Sequence, residues 1–292
     1  MKKSNLFLSV LLTALCTAAS AQSSSVDAQV DRNAAKADTS SAAIKPKIYS
    51  VGNGGAYMYA YFPSSTSGPT PAVVALPGGG YSHLAVANEG TDWAPFFTSH
   101  GMAYFTLIYR LPDGDRSKPI SDAEAAIKMV RDSAIVWNIN PKGVGIMGSS
   151  AGGHLASTVA THAAAGVRPD FQILFYPVIT FVGKTHKGSL KCFLGKDSTS
   201  RAALKEYSNE RHVEKNVTPP AIIFYAKNDK AVPPVSNAVA YYKALKRKEV
   251  PVTLIEYNEG GHGFGFKLRF IYHDQLLYDL GVWLEEMKFK LK

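Results

Sequence analysis

The sequence predicts an α/β architecture: one doubly wound, mostly parallel sheet with helices on both faces. Three observations predict it. Short continuous apolar runs, such as Ala-Val-Val-Ala-Leu at 72–76, have the composition of strands buried on both faces of a parallel sheet. Longer stretches with apolar residues at helical spacing separate these runs, so strand and helix alternate along the chain. Finally, Gly148-x-Ser150-x-Gly152 falls where one such strand gives way to an alanine-rich helix. That is the strand, turn, helix order of a nucleophile elbow, in which small residues must flank a sharply bent serine.

The chain opens Met1-Lys2-Lys3, continues with an apolar run at 6–19 and reaches Ala19-Ser20-Ala21 before Gln22. This reads as a signal peptide over 1–21, cleaved after Ala21, so the protein is expected to be exported to the periplasm or beyond. A lipoprotein attached through Cys16 is the weaker reading, because Leu15 is large where a small residue is expected. Of the two cysteines only Cys192 would remain, so the exported domain is expected to stand on its hydrophobic core rather than on disulfides. Residues 22–43 are rich in Ala, Ser and Asp without apolar periodicity and read as a flexible linker, leaving 44–292 as the globular domain. The net charge of +9 is scattered rather than striped. It predicts a solvated surface with at most weak attraction to anionic polymers, no nucleic-acid partner, and no membrane contact after cleavage.

Within the domain, 56–62 alternates like a half-exposed strand and stops at Pro63, and 72–76 runs straight into Pro77-Gly78-Gly79-Gly80-Tyr81. That loop lacks the Lys-Ser/Thr end or the full Gly-x-Gly-x-x-Gly of a phosphate cradle. With an elbow downstream it instead suits backbone N–H groups turned toward a developing oxyanion. A helix at 92–100 and a strand at 102–109 follow. Ser121-Asp-Ala-Glu124 has the form of a capping box opening a helix that runs through Trp137. After a turn at 140–143 come the elbow strand at 143–147, the elbow helix at 151–165 and a strand at 171–175. Residues 178–218 break the rhythm, being polar, mixed in charge and without one dominant period. They are expected as an excursion above the carboxyl ends of the strands, where sites in such sheets form. Strands at 219–225 and 250–257, with helices at 236–248 and 271–289, complete the alternation.

A serine hydroxyl needs a base within hydrogen-bond reach, and the base needs an orienting carboxylate. The chain supplies them in the order serine, acid, histidine: Ser150 on the elbow, Asp229 just past the strand at 219–225, and His262 between glycines past the strand at 250–257. All three fall at the same edge of the sheet. His154, four residues along the elbow helix, reads as a hydrogen-bonded structural histidine, whereas His186 in the excursion is placed to touch substrate. No cluster has trustworthy metal-ligand spacing, and the chemistry calls for no cofactor.

These residues, together with Tyr109-Arg-Leu-Pro112, Tyr176-Pro-Val, Thr185-His-Lys-Gly-Ser189 and Asp229-Lys-Ala-Val-Pro233, give a chain that resembles the α/β-hydrolase family. More narrowly, it resembles bacterial acetyl xylan esterases and related carbohydrate esterases. The resemblance implies an α/β-hydrolase fold, a Ser150, Asp229, His262 triad, and an oxyanion hole of the Gly79, Gly80 and Ala151 N–H groups. It also implies an acetylated carbohydrate as substrate. Pro77 stands where lipase-like relatives carry histidine, and Ser149 replaces a bulkier residue. Tyr81 and His186, in loops able to flank a sugar, are the expected substrate contacts. A feruloyl or aryl esterase, or an arylformamidase-like hydrolase, is the alternative within enzymes. An inactive carbohydrate-binding homologue is the alternative outside them.

Overall fold

The computed structural model describes residues 45–287; the signal-peptide and linker readings of 1–43 lie outside them. Eight strands form one sheet: β1 (Lys47–Val51), β2 (Ala56–Tyr61), β3 (Thr70–Leu76), β4 (Ala103–Ile108), β5 (Ile139–Ser149), β6 (Gln172–Phe175), β7 (Ala221–Ala226) and β8 (Val252–Tyr257). Their order is β1-β2-β4-β3-β5-β6-β7-β8, with β2 antiparallel to both neighbours and every later pairing parallel. The chain steps from β3 back to β4, then crosses to β5 on the other side. That reversal opens a crevice at the carboxyl ends of β3 and β5, where a ligand site belongs in such a sheet.

The helices are α1 (Ala94–Ser99), α2 (Ser117–Asp132), α3 (Ala134–Trp137), α4 (Ala151–His162), α5 (Lys187–Leu194), α6 (Arg201–Glu206), α7 (Ala238–Arg247) and α8 (His273–Glu286). Ala72, Val74 and Leu76 of β3 pack with Ile127 of α2, Leu155 of α4 and Leu245 of α7 on one face. On the other face Val73 and Ala75 belong with Phe97 of α1 and Leu280 of α8. This period-two division of a continuous apolar run is what two covered faces require.

Three expectations shift. The edge strand β1 was not foreseen, because only Val51 of its five residues is buried and the remainder gives no alternation strong enough to read. The apparent capping box lies inside a helix: α2 begins at Ser117, whose N–H donates to Asp115 Oδ1 at 3.1 Å, while Asp122 is turned inward to Arg110 at 2.6 Å. The helix also stops at Asp132, and the short α3 ends at Asn138 in the left-handed conformation. Among the described residues no helix is long and apolar enough to cross a membrane.

Candidate active site

Strand β5 ends at Ser149 and α4 begins at Ala151, so Ser150 alone makes the turn between them. Its backbone sits at φ 54° and ψ −118°, a conformation that costs an L residue about 1–3 kcal/mol and persists only where the surroundings enforce it. They do so here. The Ser150 N–H donates to the Phe175 carbonyl at 3.0 Å, and its own carbonyl accepts from the N–H groups of His154 and Val178 at 3.1 and 2.9 Å. A Cβ at Gly152 would stand 1.9 Å from the Leu76 carbonyl oxygen, so only glycine lets the elbow helix close against β3.

Asp229 follows β7 and His262 follows β8. Asp229 Oδ1 accepts from the N–H groups of Ala231 and Val232, each at 2.9 Å, which leaves Oδ2 for His262 Nδ1 at 2.6 Å. His262 Nε2 is 2.8 Å from Ser150 Oγ. An ionised carboxylate only accepts, so the ring proton resides on Nδ1 and the Nε2 lone pair faces the serine hydroxyl. The Asp229 side chain is 1% exposed and that of His262 23%, so the carboxylate is sealed while the imidazole is partly open to solvent. The histidine loop is itself anchored by the Gly261 N–H on Asn228 Oδ1 at 2.8 Å.

The glycine loop after β3 runs beside this line. A Cβ at Gly79, where φ is 126°, would collide with the His83 carbonyl at 2.2 Å. Among the described residues the N–H groups of Gly79, Gly80 and Ala151 donate to no acceptor of the chain. Backbone donors left unspent beside a serine hydroxyl are the arrangement an oxyanion hole requires.

A family model described as the alpha/beta hydrolase fold matches residues 73–266, from β3 to just past His262. This chain belongs to that family. Among similar proteins of this hydrolase-fold chain, "Acetylxylan esterase" of Xylanibacter ruminicola is 47% identical over 80% of the chain and 49% of the relative. "Endo-1,4-beta-xylanase B" of Butyrivibrio fibrisolvens is 34% identical over 65% of the chain and 32% of the relative. The chain therefore spans about half of the first and a third of the second. A solved structure of an acetyl ester-xyloside bifunctional hydrolase from Caldicellulosiruptor lactoaceticus superposes with a TM-score of 0.75 at 31% identity, covering 80% of this chain and 89% of the other.

The two expected substrate contacts part company in this hydrolase fold. Tyr81 must be corrected: its ring is buried, and its hydroxyl donates to His154 Nδ1 at 2.9 Å. His154 Nε2–H in turn donates to the Tyr207 carbonyl at 2.9 Å, and burial pushes the imidazole pKa down to about 3, so the pair is a neutral strut. His186, by contrast, lies at the glycine loop, its Cε1 3.5 Å from where a Gly80 Cβ would be. Its Nδ1 accepts from the Ser189 N–H at 3.1 Å and caps α5, which fixes the neutral ring with its proton on Nε2. Burial, then the neighbouring His262, lowers its pKa and favours that neutral form.

Sequence reading passed over Asn237 and Glu89. Asn237 is fully buried and accepts at Oδ1 from the N–H groups of Ile179 and Thr180 while donating to the Pro233 carbonyl. It thereby joins the loop beyond Asp229 to the start of the excursion. Nothing local marks either residue, since one reads as a helix-cap asparagine and the other as a loop acid. A cavity of about 360 Å³ adjoins His262, with Phe264, Lys267 and Phe270 in its wall. Among the described residues no group of His, Cys, Asp and Glu could hold a metal ion.

Proposed function

We propose that this chain is a serine carboxylic ester hydrolase that removes acetyl groups from xylan-type plant cell-wall polysaccharide or oligosaccharide. The observation that carries the reading is the unbroken line from Asp229 through His262 to Ser150, laid beside three unspent backbone N–H groups. The substrate class is supported by the 47% identity to an acetylxylan esterase and the 31% identity to an acetyl ester-xyloside hydrolase. The reading includes export through the signal peptide expected at residues 1–21, which would bring the enzyme to a polymer outside the cell.

In this reading Ser150 Oγ attacks the acetyl carbonyl as His262 Nε2 takes its proton, and Asp229 holds the imidazolium that forms. The carbonyl oxygen becomes an oxyanion received by the N–H groups of Gly79, Gly80 and Ala151, each contributing roughly 3 kcal/mol to barrier lowering. The tetrahedral adduct collapses, the sugar oxygen leaves with the proton from His262, and Ser150 carries the acetyl group. Water, deprotonated by His262, then attacks the acyl-enzyme and releases acetate and the serine hydroxyl. His186 Nε2–H, beside Gly80, is the chain's donor to the bound ester or to a neighbouring sugar hydroxyl.

Acetate release from acetylated xylan tests the reading, run beside p-nitrophenyl esters of increasing chain length. Fast release with acetyl preferred is the expected result, and Ser150→Ala should lower kcat by roughly 10⁶-fold on every substrate. Turnover of feruloyl or aryl esters with xylan left acetylated would overturn the substrate while keeping the triad. Sugar binding without turnover would overturn both.

A further inference from the structure

The reaction just described leaves one buried acid of the site unused. Glu89 is 5% exposed and sits in the loop between β3 and α1. A carboxylate buried to that degree must find strong donors, and it spends its two oxygens on different parts of the site. Oε2 accepts the Gly78 N–H at 2.8 Å, immediately before the two glycines whose N–H groups are unspent among the described residues. Oε1 accepts the Tyr176 hydroxyl at 2.9 Å. The Tyr176 ring meets His262 edge to face, with centroids 4.8 Å apart, and is itself fixed by a buried position and a backbone φ of 35°.

The acid also lies close behind the nucleophile. A Cβ on Gly78 would be 2.5 Å from Glu89 Oε2 and 2.9 Å from Ser150 Cβ, so one methyl width separates them. The neighbouring residue repeats the link, because the Asn88 carbonyl accepts from the Phe266 N–H at 2.9 Å in the loop beyond His262.

From this we infer that Glu89 is a positioning residue of the esterase reaction: a single anion that clamps the oxyanion loop through Gly78 and the wall of the base through Tyr176. The two halves of the machinery come from chain segments that share no strand, and Glu89 fixes their relation. Its charge adds a second effect. The titratable groups facing it are Tyr109, Tyr176, His262 and Lys267; burial raises its pKa, and the Tyr176 hydroxyl, the Gly78 N–H, His262 and Lys267 oppose that rise by favouring the ionised form. A buried anion in that place favours the protonated base that forms when Ser150 attacks. The inference rests on the triad reading above.

Glu89→Gln separates charge from shape. The Gln carbonyl can still accept from Gly78, and its amide can donate to the Tyr176 hydroxyl once that hydroxyl turns. With p-nitrophenyl acetate as probe, kcat should fall about tenfold while KM stays within about twofold. The acid limb of the kcat/KM profile should move to lower pH, because the variant lacks the anion that favours the charged form of its neighbour. A purely structural role would lower stability but leave that limb in place. An unchanged kcat and limb, or a rise in KM alone, overturns the inference.

Should Glu89→Gln fail to fold, Tyr176→Phe reads the same link. A several-fold lower kcat at unchanged KM upholds it, and an unchanged kcat overturns it. Ser150→Ala in the same assay tells the two failures apart. If it stays active the triad reading falls, whereas if it is dead and Glu89→Gln is unaffected only the role of Glu89 falls.

Discussion

The strand ends that carry Ser150, Asp229 and His262 and the excursion at 178–218 that lies against them rely to different degrees on regular packing and on single polar anchors. The floor rests on strands whose residues are buried along their length, as in β3, β6 and β7, with helices covering both faces. Its geometry is fixed by many apolar contacts at once, none of which is individually decisive. The roof contains only the short helices α5 and α6 with 3₁₀ turns; Phe181, Phe193 and Leu194 reach from it into the core, and buried polar side chains fix its turns. Asn237 receives Ile179 and Thr180, Ser208 Oγ receives the Phe181 N–H at 2.9 Å, and Asn209 Nδ2 donates to the His154 carbonyl and Ser157 Oγ. A floor built this way keeps its residues in place through continuous packing, while the roof is tied to it at separate points, by Phe181, Phe193 and Leu194 in the core and by these hydrogen bonds.

The sharpest break confined to the floor is Asp229→Asn. An amide offers His262 Nδ1 one acceptor and one donor in place of two acceptors, and the Ala231 and Val232 N–H groups compete for the acceptor. The tautomer with Nε2 free to take a proton loses its support, so kcat should fall roughly 10⁴-fold with KM little changed. Steady-state kinetics on p-nitrophenyl acetate checks it, and a loss under tenfold would mean that the base is held by something other than Asp229.

The same division governs how much could be read from sequence. The floor was legible because its cause is periodic: strand runs buried on both faces, Ser150 at a strand-to-helix glycine turn, and Asp229 and His262 each just past a strand. The roof has no such period, and its anchors come from distant segments. Asn237 is far in sequence from Ile179, and Tyr81, next to the glycine loop, looked like a substrate contact until its hydroxyl proved to serve His154. Glu89 was illegible for the same reason, since its two partners, Gly78 and Tyr176, are brought together only by the sheet.

A second break falls on the strut between floor and roof. The unfolded chain protonates His154 near the ordinary histidine value, whereas the folded chain does not until about pH 3. Between those values the unfolded state binds more protons, so stability is fully present above about pH 6.5 and falls as pH drops toward 3. At about 1.4 kcal/mol per pKa unit the loss approaches about 5 kcal/mol. His154→Gln, which can still accept from Tyr81 and donate to the Tyr207 carbonyl, should flatten that slope in urea unfolding at pH 7 against pH 4. An equal slope in both proteins would assign the acid sensitivity to other groups.

Within the roof, Asn237→Ala leaves the Ile179 and Thr180 N–H groups buried without an acceptor, while the Pro233 carbonyl keeps the Ser236 N–H. A stability loss of about 3 kcal/mol follows, measured by urea denaturation, with kcat on a small ester lowered less than tenfold. If kcat instead collapsed as in Asp229→Asn, the roof and the floor would be one mechanical unit and the comparison would fail.

The smallest effect is expected where the roof meets substrate. His186→Ala removes the Nε2–H donor and the cap of α5 together, so its loss must be separated into binding and structure. One hydrogen bond to a neutral acceptor contributes about 1 kcal/mol, and KM for acetylated xylo-oligosaccharide should rise about fivefold while kcat holds within about threefold. His186→Gln can accept from the Ser189 N–H through its carbonyl and donate through its amide, so it should recover much of the binding. The ordering Ala above Gln above wild type in KM, with all three unfolding at similar urea concentrations, marks a donor to substrate. If KM is flat across the series while the Ala protein unfolds earlier, His186 serves α5 alone and the excursion recognises sugar by other groups.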